Sequence, residues 1–234
     1  MRLVSSVKLE PSDSSRRLIA RSATRGELAF GAEEEKTFFQ SEHERNLLVI
    51  LRNTPSVIKA TWEPFTLRYF DHLRLKSSTY TPDYLIELET REGPRQLLVE
   101  IKTKRDYNRT AREFAARYRA AERWAEMQPA TSFKVITDKW MHAVGLRNYQ
   151  QIDAVRTRDI SAPHLDIVRQ EIINHTLLSV SQIMTLAVDK GMERARIMPA
   201  LWKLVSLGEL TFDLSRPLDL ETEIYAGKTQ SPFE

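Results

Sequence analysis

Two carboxylates and an ammonium group fall close together on a hairpin that the sequence predicts for residues 81–106. Asp83 opens the first strand, a turn rich in Arg, Glu, Gly and Pro follows, and Leu97–Lys102 forms the return strand. Successive strand side chains alternate between faces, so Glu100 and Lys102 share one face while their neighbours point into a core. We therefore expect the two acids and the lysine to meet near one end of the hairpin.

This grouping of charges has a definite chemical use. Two neighbouring carboxylates repel each other, and a hard divalent cation with oxygen ligands relieves the repulsion, typically Mg²⁺ that also binds a substrate phosphate. The adjacent ammonium group of Lys102 then orients the attacking water or neutralises the charge that develops on phosphorus. The alternative is a surface hairpin that carries an ordinary exposed acid and base.

The spacing of these residues resembles the signature of the PD-(D/E)XK nuclease superfamily. Pro82-Asp83 stands where the superfamily has its Pro-Asp, and Glu100-Ile101-Lys102 stands where it has Glu-x-Lys. The resemblance implies an α/β (α+β) restriction-endonuclease-like core around a mixed central sheet.

Composition limits the possible classes of protein. The 234 residues are 41% hydrophobic and 29% charged, as in a soluble globular protein. No apolar run approaches the roughly 18 residues of a membrane span, and the amino terminus lacks the apolar core of a signal peptide, so we expect a cytoplasmic protein without membrane partners. The chain has no cysteine, and its five histidines lack zinc spacing, so any metal is expected to bind mainly to oxygen.

Positive charge is concentrated in the part of the chain that carries the hairpin. Residues 1–164 contain 28 Lys/Arg and 22 Asp/Glu, a net of +6, whereas residues 165–234 contain 7 and 10, a net of −3. A basic surface beside an acidic metal site suits DNA, whose phosphates supply much of the binding energy. Residues 1–30 combine serines and arginines with little apolar periodicity and predict an extended basic arm, or a terminus without a role.

A third carboxylate is expected from the first helix. Ser41 and Glu44 have the form of a capping box. Leu47, Leu48 and Leu51 follow at helical spacing, which places Glu44 on the buried stripe of the helix. A carboxylate there is costly unless it is paired or bound to metal, and the first helix of PD-(D/E)XK folds commonly supplies such an acid. Glu44 is therefore expected to act as a capping partner, as a metal ligand, or as both.

The flanking segments complete this order of elements. Residues 56–70 predict one or two strands broken at Glu63-Pro64, and residues 132–137 predict another buried strand. The clearest helix follows Lys102, where residues 102–124 contain 8 Lys/Arg and 3 Asp/Glu, a net of +5. This bias favours contact with the DNA backbone, although a solvated helix face remains possible. The residues predicted to bind DNA are Lys104, Arg105, Arg109 and Arg112.

The carboxy-terminal third predicts a second domain. The chain becomes polar around residues 147–160, and Ala162-Pro163 marks a boundary. Three helical stretches follow, over residues 165–174, 179–190 and 193–206, and then a short β-hairpin up to residue 224. This order is typical of a winged-helix domain, and its net charge of −3 favours protein docking over strong DNA binding. The predicted domains are thus a basic arm (1–30), an endonuclease domain (31–160) and a winged-helix domain (161–234).

The chain as a whole resembles TnsA, the endonuclease subunit of heteromeric cut-and-paste transposases. The matching motifs are Ser41-x-x-Glu44, Thr81-Pro82-Asp83-Tyr84, Leu98-Val99-Glu100-Ile101-Lys102, Val135-Ile136-Thr137 and the carboxy-terminal winged helix. The resemblance implies that Glu44, Asp83 and Glu100 hold Mg²⁺, with Mn²⁺ as a substitute, and that all three are catalytic together with Lys102. Some relatives have Gln in place of Glu100, and many have Gln-Pro in place of Glu63-Pro64.

The resemblance also implies a reaction and its partners. Proteins of this family cut the strand whose 5′ end belongs to the transposon, on transposon-end DNA, while a TnsB-like DDE transposase cuts the other strand and a TnsC-like AAA+ ATPase regulates both. Such a protein is bacterial and associated with the nucleoid when active. Two alternatives stay open, namely another PD-(D/E)XK nuclease of restriction or junction-resolving type, and a catalytically inactive DNA-binding regulator.

Overall fold

The computed structural model describes residues 8–10, 25–30, 35–72, 74–175, 177–227 and 231–233. The chain is a mixed α/β protein that divides into two compact units. The first unit comprises residues 1–48 and 56–140, and the second comprises residues 49–55 and 141–234. The domain ranges expected from the sequence, 1–30, 31–160 and 161–234, remain predictions. Most of the expected basic arm, residues 1–7 and 11–24, lies outside the described part.

Strands dominate the first unit. Its elements in chain order are β1 (Lys8–Glu10), β2 (Gly26–Phe30), β3 (Glu35–Phe39), α1 (Glu42–Arg52), β4 (Val57–Trp62), β5 (Thr66–Asp71), β6 (Lys76–Tyr80), β7 (Tyr84–Thr90), β8 (Gly93–Lys102), α2 (Lys104–Glu126) and β9 (Thr131–Thr137). The last residues of α1, from Val49 onward, belong to the second unit.

A four-stranded mixed sheet lies at the centre of the first unit, in the order β4-β7-β8-β9. β4, β7 and β8 are antiparallel, whereas β9 runs parallel to β8 because α2 connects them as a crossover. The predicted mixed central sheet is confirmed. β4 and β5 separate at Glu63-Pro64 as expected, but β5 joins β1 and β6 in a second sheet, in the order β1-β5-β6.

One buried cluster of the first unit lies between this second sheet, β8 and α2. Leu97 to Ile101 are buried without interruption, because both faces of β8 are covered. The buried cluster consists of Leu67, Tyr69, Tyr80, Leu98, Ala120, Ala121, Trp124 and Ala125. The packing of α2 on this cluster fixes which of its side chains face the end of β8.

The second unit contains α3 (Asp138–Ala143, from Met141 onward), α4 (Leu146–Arg156), α5 (Ala162–His175), β10 (Leu177–Ser179), α6 (Val180–Asp189), α7 (Arg194–Ser206), β11 (Leu210–Thr211) and β12 (Glu223–Ala226). The three short strands form an antiparallel sheet in the order β10-β12-β11. Helices lie at the three stretches where the sequence predicts them, and Ser179 begins α6 with a capping box to Gln182. Within the described ranges, no helix is both long and apolar enough to cross a membrane.

Residues 147–160 differ from the expected polar connection, because α4 covers most of them. Leu146, Tyr149, Ile152 and Val155 recur every three residues along this helix and are buried. Arg147, Gln150 and Gln151 between them are exposed, and the polar Asn148 is itself buried, so the sequence of the segment is polar overall although the helix packs in the core.

Candidate active site

The β7–β8 hairpin brings Asp83 to the end of β8. The Asp83 N–H donates to the Val99 carbonyl at 3.0 Å. The Ile101 N–H donates to Oδ2 of Asp83 at 2.6 Å. The backbone and the side chain of Asp83 thus both hydrogen-bond to β8, at the residues before and after Glu100.

Three donors surround the carboxylate of Glu100, which is only 3% exposed. The Tyr80 hydroxyl donates to Oε2 at 2.7 Å. Nζ of Lys102 lies 2.7 Å from Oε1, as expected for two residues on the same face of a strand. A guanidinium nitrogen of Arg117 donates to the same Oε1 at 3.1 Å. A buried carboxylate needs such pairing, and here two cations and a hydroxyl provide it.

Glu44 lies in the first turn of α1, within electrostatic range of Asp83 and Lys102. The Glu44 N–H donates to Oγ of Ser41 at 3.2 Å, and that hydroxyl donates to Oε1 of Glu44 at 2.9 Å. The Gln40 N–H donates to the other carboxylate oxygen at 2.8 Å. The Glu44 carboxylate also interacts electrostatically with Glu63 and Lys102. Its capping role therefore coexists with a position beside the hairpin residues.

The shifted pKa values describe a crowded acidic site. Burial raises the pKa of Asp83 well above its usual range, and the Glu100 carboxylate raises it further, against the opposing effects of Lys102 and the Ile101 N–H. Burial also raises the pKa of Glu44, although the hydrogen bonds from Gln40 and Ser41 partly offset it. Burial alone would lower the pKa of Lys102, but the carboxylates of Glu100 and Asp83 outweigh it and raise that pKa. Lys102 is therefore held as a cation between acids.

The oxygen donors of the cluster fit a hard cation such as Mg²⁺. Burial and the neighbouring Glu100 carboxylate disfavour the Asp83 anion, and a bound cation would favour it. In the described part of the chain, however, no three acidic or histidine side chains lie at the spacing of a formed metal site. The Glu100 oxygens are engaged by Tyr80, Lys102 and Arg117 instead.

The residues expected to bind DNA lie at the exposed start of α2. Lys104, Arg105, Arg109 and Arg112 are all exposed. Arg109 pairs with Asp106 at 2.8 Å, and Nζ of Lys104 lies 5.3 Å from the centroid of the Tyr107 ring. Exposed ion pairs contribute little to stability, so this arginine can exchange its partner for a phosphate at small cost.

Two residues of the site were not predicted as functional from the sequence. Tyr80 ends β6, a strand absent from the sequence prediction because the segment Lys76–Tyr80 shows no apolar alternation. The sequence indicates Arg117 only as one of the eight basic residues in the predicted helix over residues 102–124. Its position three residues after the apolar Phe114 and one before the buried Tyr118 places it at the border of the buried face, which is the signal that could have identified it.

Comparison with known protein families finds a match to part of the chain. The model of the TnsA-like endonuclease N-terminal domain matches residues 54–138, a stretch that contains Asp83, Glu100 and Lys102 and ends before α4. Glu44 precedes the matched stretch. Among proteins with curated functions, none matches the chain. The resemblance expected from the sequence is confirmed for the matched stretch, which is similar to the N-terminal domain of TnsA-like endonucleases.

Proposed function

We propose that this protein is the metal-dependent endonuclease subunit of a heteromeric transposase and hydrolyses the strand at the 5′ ends of the transposon during cut-and-paste excision. The proposal is supported by the Lys102–Glu100 contact of 2.7 Å and the Ile101–Asp83 hydrogen bond at the end of β8, with Glu44 in electrostatic range of Asp83 and Lys102. The match of the TnsA-like endonuclease domain to residues 54–138 supports the same reaction class.

In this proposal the four residues have separate roles. Glu44, Asp83 and Glu100 hold Mg²⁺, which supplies Lewis-acid activation of water and of the phosphodiester. Lys102 is cationic and faces the acids, so it orients the attacking water and neutralises charge that develops on the phosphate oxygens. Tyr80 and Arg117 hold Glu100 in position. The products are a 5′-phosphate and a 3′-hydroxyl.

The second unit has a separate role in the proposal. Its α5, α6 and α7 with the β10-β12-β11 sheet are arranged in the order of a winged-helix domain. Since residues 165–234 carry a net charge of −3, we assign it to docking on a TnsC-like AAA+ regulator rather than to strong DNA binding. A TnsB-like DDE transposase supplies recognition of the transposon ends and cuts the other strand.

The test is a cleavage assay on transposon-end DNA with Mg²⁺, carried out with and without the partner proteins. The wild-type protein is expected to cut the 5′ strand only with its partners and to stop when EDTA is added. Asp83→Ala and Lys102→Ala should lose cleavage at least a hundredfold and still bind the partners.

Three other results would contradict the proposal. Equal loss of cleavage and partner binding in both variants would indicate a structural role for these residues. Cleavage of plain duplex by the purified subunit alone would favour a restriction-type nuclease. Undiminished cleavage in EDTA would exclude a metal-dependent reaction.

A further inference from the structure

A polar groove of about 520 Å³ lies beside the candidate active site, between α2 and the hairpin formed by β5 and β6. We call it the β5–β6 groove. Its lining includes four cationic side chains, two carboxylates and the hydroxyl-bearing residues 77–79. The cations are Arg68, Arg74, Lys76 and Arg117, and the carboxylates are Asp71 and Glu113. An excess of cations together with hydroxyl donors suits a ligand that carries phosphate groups.

One row of side chains leads from the groove into the active site. Alternate residues of a strand face the same side, so Lys76, Ser78 and Tyr80 form a row along β6. Tyr80 at the inner end donates to Glu100, and Lys76 at the outer end is exposed. The row is about 13 Å long at 3.3 Å per residue.

Arg117 joins the groove to the site from the α2 side. It lines the groove, and its guanidinium contacts Glu100 at 3.1 Å and lies 3.5 Å from the centroid of the Phe114 ring. Its Nε atom is buried without a hydrogen-bond partner among the described residues. A buried donor without an acceptor is unfavourable, and a phosphate oxygen of a bound strand would satisfy it.

The outer cations of the groove are available for exchange. Arg74 is half exposed and bridges the hairpin to α2 through Glu113 at 3.2 Å. Exposed ion pairs of this kind contribute little free energy, so a phosphate can replace the carboxylate at small cost.

The groove is separate from the basic surface predicted on α2. At about 100° per residue, Arg105, Arg109 and Arg112 fall within roughly 60° of one another around the helix. Arg117 lies about 80° beyond the nearest of them. The two surfaces can therefore be tested independently.

We propose that the β5–β6 groove binds the phosphate backbone of the DNA strand that is cut. Arg74 and Lys76 hold phosphates away from the scissile bond, and Arg117 holds the strand next to Glu100. This inference rests on the proposed function, because the ligand is the DNA substrate of the same site.

The test measures salt dependence of DNA binding in a cleavage-inactive Lys102→Ala background. Arg74→Ala and Lys76→Ala are combined, and Arg95→Ala, an exposed arginine at the opposite end of β8, is the matched control. Fluorescence anisotropy with a labelled DNA duplex is recorded over a series of salt concentrations. The slope of log K against log[salt] is expected to become shallower by about 0.9 per lost phosphate contact, hence by about 1.8 in the double variant, and to stay unchanged in the control.

The outcomes separate the groove from the function. If the double variant shows the same salt-dependence slope as the control, the proposal for the β5–β6 groove is wrong. Mg²⁺-dependent cleavage by the wild-type protein would then still support the proposed function. A wild-type protein that neither binds DNA nor cuts it in the presence of the partner proteins overturns both. Because Arg74 and Lys76 are exposed, folding should survive, and an unchanged thermal unfolding midpoint verifies this. Lys76→Gln, which keeps the aliphatic stem, serves as the second variant.

Discussion

The hydroxyl of Tyr80 donates to Oε2 of Glu100 at 2.7 Å, across 20 residues of sequence. This bond links the β1-β5-β6 sheet to the central sheet at Glu100, next to the residue that hydrogen-bonds Asp83. The Glu100 carboxylate is almost fully buried, so its orientation depends on this hydroxyl and on the two cations that share Oε1. The smaller sheet is therefore part of the candidate active site.

Replacement of Tyr80 by Phe removes this donor and keeps the ring in the core. A hydrogen bond to a charged group contributes about 1.5–3 kcal/mol, so we expect a cleavage rate at least about tenfold lower. Single-turnover cleavage at saturating DNA measures it. Tyr225→Phe, which removes an exposed hydroxyl in the second unit, is the control and should keep the wild-type rate. An equal rate in both variants would show that Tyr80 does not position Glu100.

The features of the site that the sequence predicted are contacts between residues only two or three positions apart in the chain. Alternation along a strand places Glu100 and Lys102 on one face, and the observed distance of 2.7 Å between them agrees with it. The capping pattern of Ser41 and Glu44 involves residues three apart, which the helix itself brings together.

The parts that the sequence did not predict depend on pairing between distant segments. β6 is recognisable only through its pairing with β5, because the segment has little hydrophobic pattern of its own. Arg117 reaches Glu100 only because α2 packs across β8, a contact that helical periodicity alone does not specify. α4 was missed because its buried residues are separated by polar ones, which obscures the apolar face.

Replacement of Asp83 by Asn is expected to stabilise the metal-free protein at neutral pH. Burial and Glu100 raise the pKa of Asp83, so the folded state binds this proton more tightly than the unfolded state. The protonated group thus contributes stability below its unfolded pKa, near 4, and that contribution is lost as the pH rises through the folded pKa. Asn stays neutral and still accepts from the Ile101 N–H. Thermal unfolding in EDTA should show a higher midpoint for Asp83→Asn at pH 7.

The pH dependence provides the check on this explanation. The advantage of Asp83→Asn should disappear as the pH falls below about 3, where aspartic acid is largely protonated in both states. Asp83→Ala, which leaves the Ile101 N–H without its acceptor, should be less stable than Asp83→Asn by about 1–3 kcal/mol. An advantage of Asn that is independent of pH would contradict the electrostatic cause. Both variants should lose cleavage.

Removal of the Asp153 carboxylate is expected to destabilise the second unit. Oδ1 of Asp153 accepts from Nε of Arg52 and, at 2.9 Å, from the side-chain amide of Asn53. The side chains of Arg52 and Asp153 are only 14% and 16% exposed, so Asp153→Ala leaves a largely buried cation without its partner. We expect a loss of about 3 kcal/mol in the free energy of unfolding, measured in urea. Asp159→Ala, an exposed control after α4, should change it by less than about 0.5 kcal/mol; similar losses in the two variants would refute the role of the pair.

Gly145 and Gly191 allow backbone strain to be separated from steric exclusion in the second unit. Both residues have positive φ, 90° and 83°, so alanine at either position costs about 1–2 kcal/mol for a left-handed backbone. A Cβ at Gly145 would also lie 1.7 Å from the Leu214 carbonyl oxygen, whereas a Cβ at Gly191 would meet nothing within 4 Å. The Leu214 carbonyl accepts from the Asn148 side-chain amide at 2.8 Å, so moving it would break a buried hydrogen bond.

Gly145→Ala should therefore lose at least about 2 kcal/mol more than Gly191→Ala in urea unfolding, from overpacking and the lost hydrogen bond together. Equal losses would mean that the turn before α4 relaxes freely and that the close approach to Leu214 does not constrain the fold.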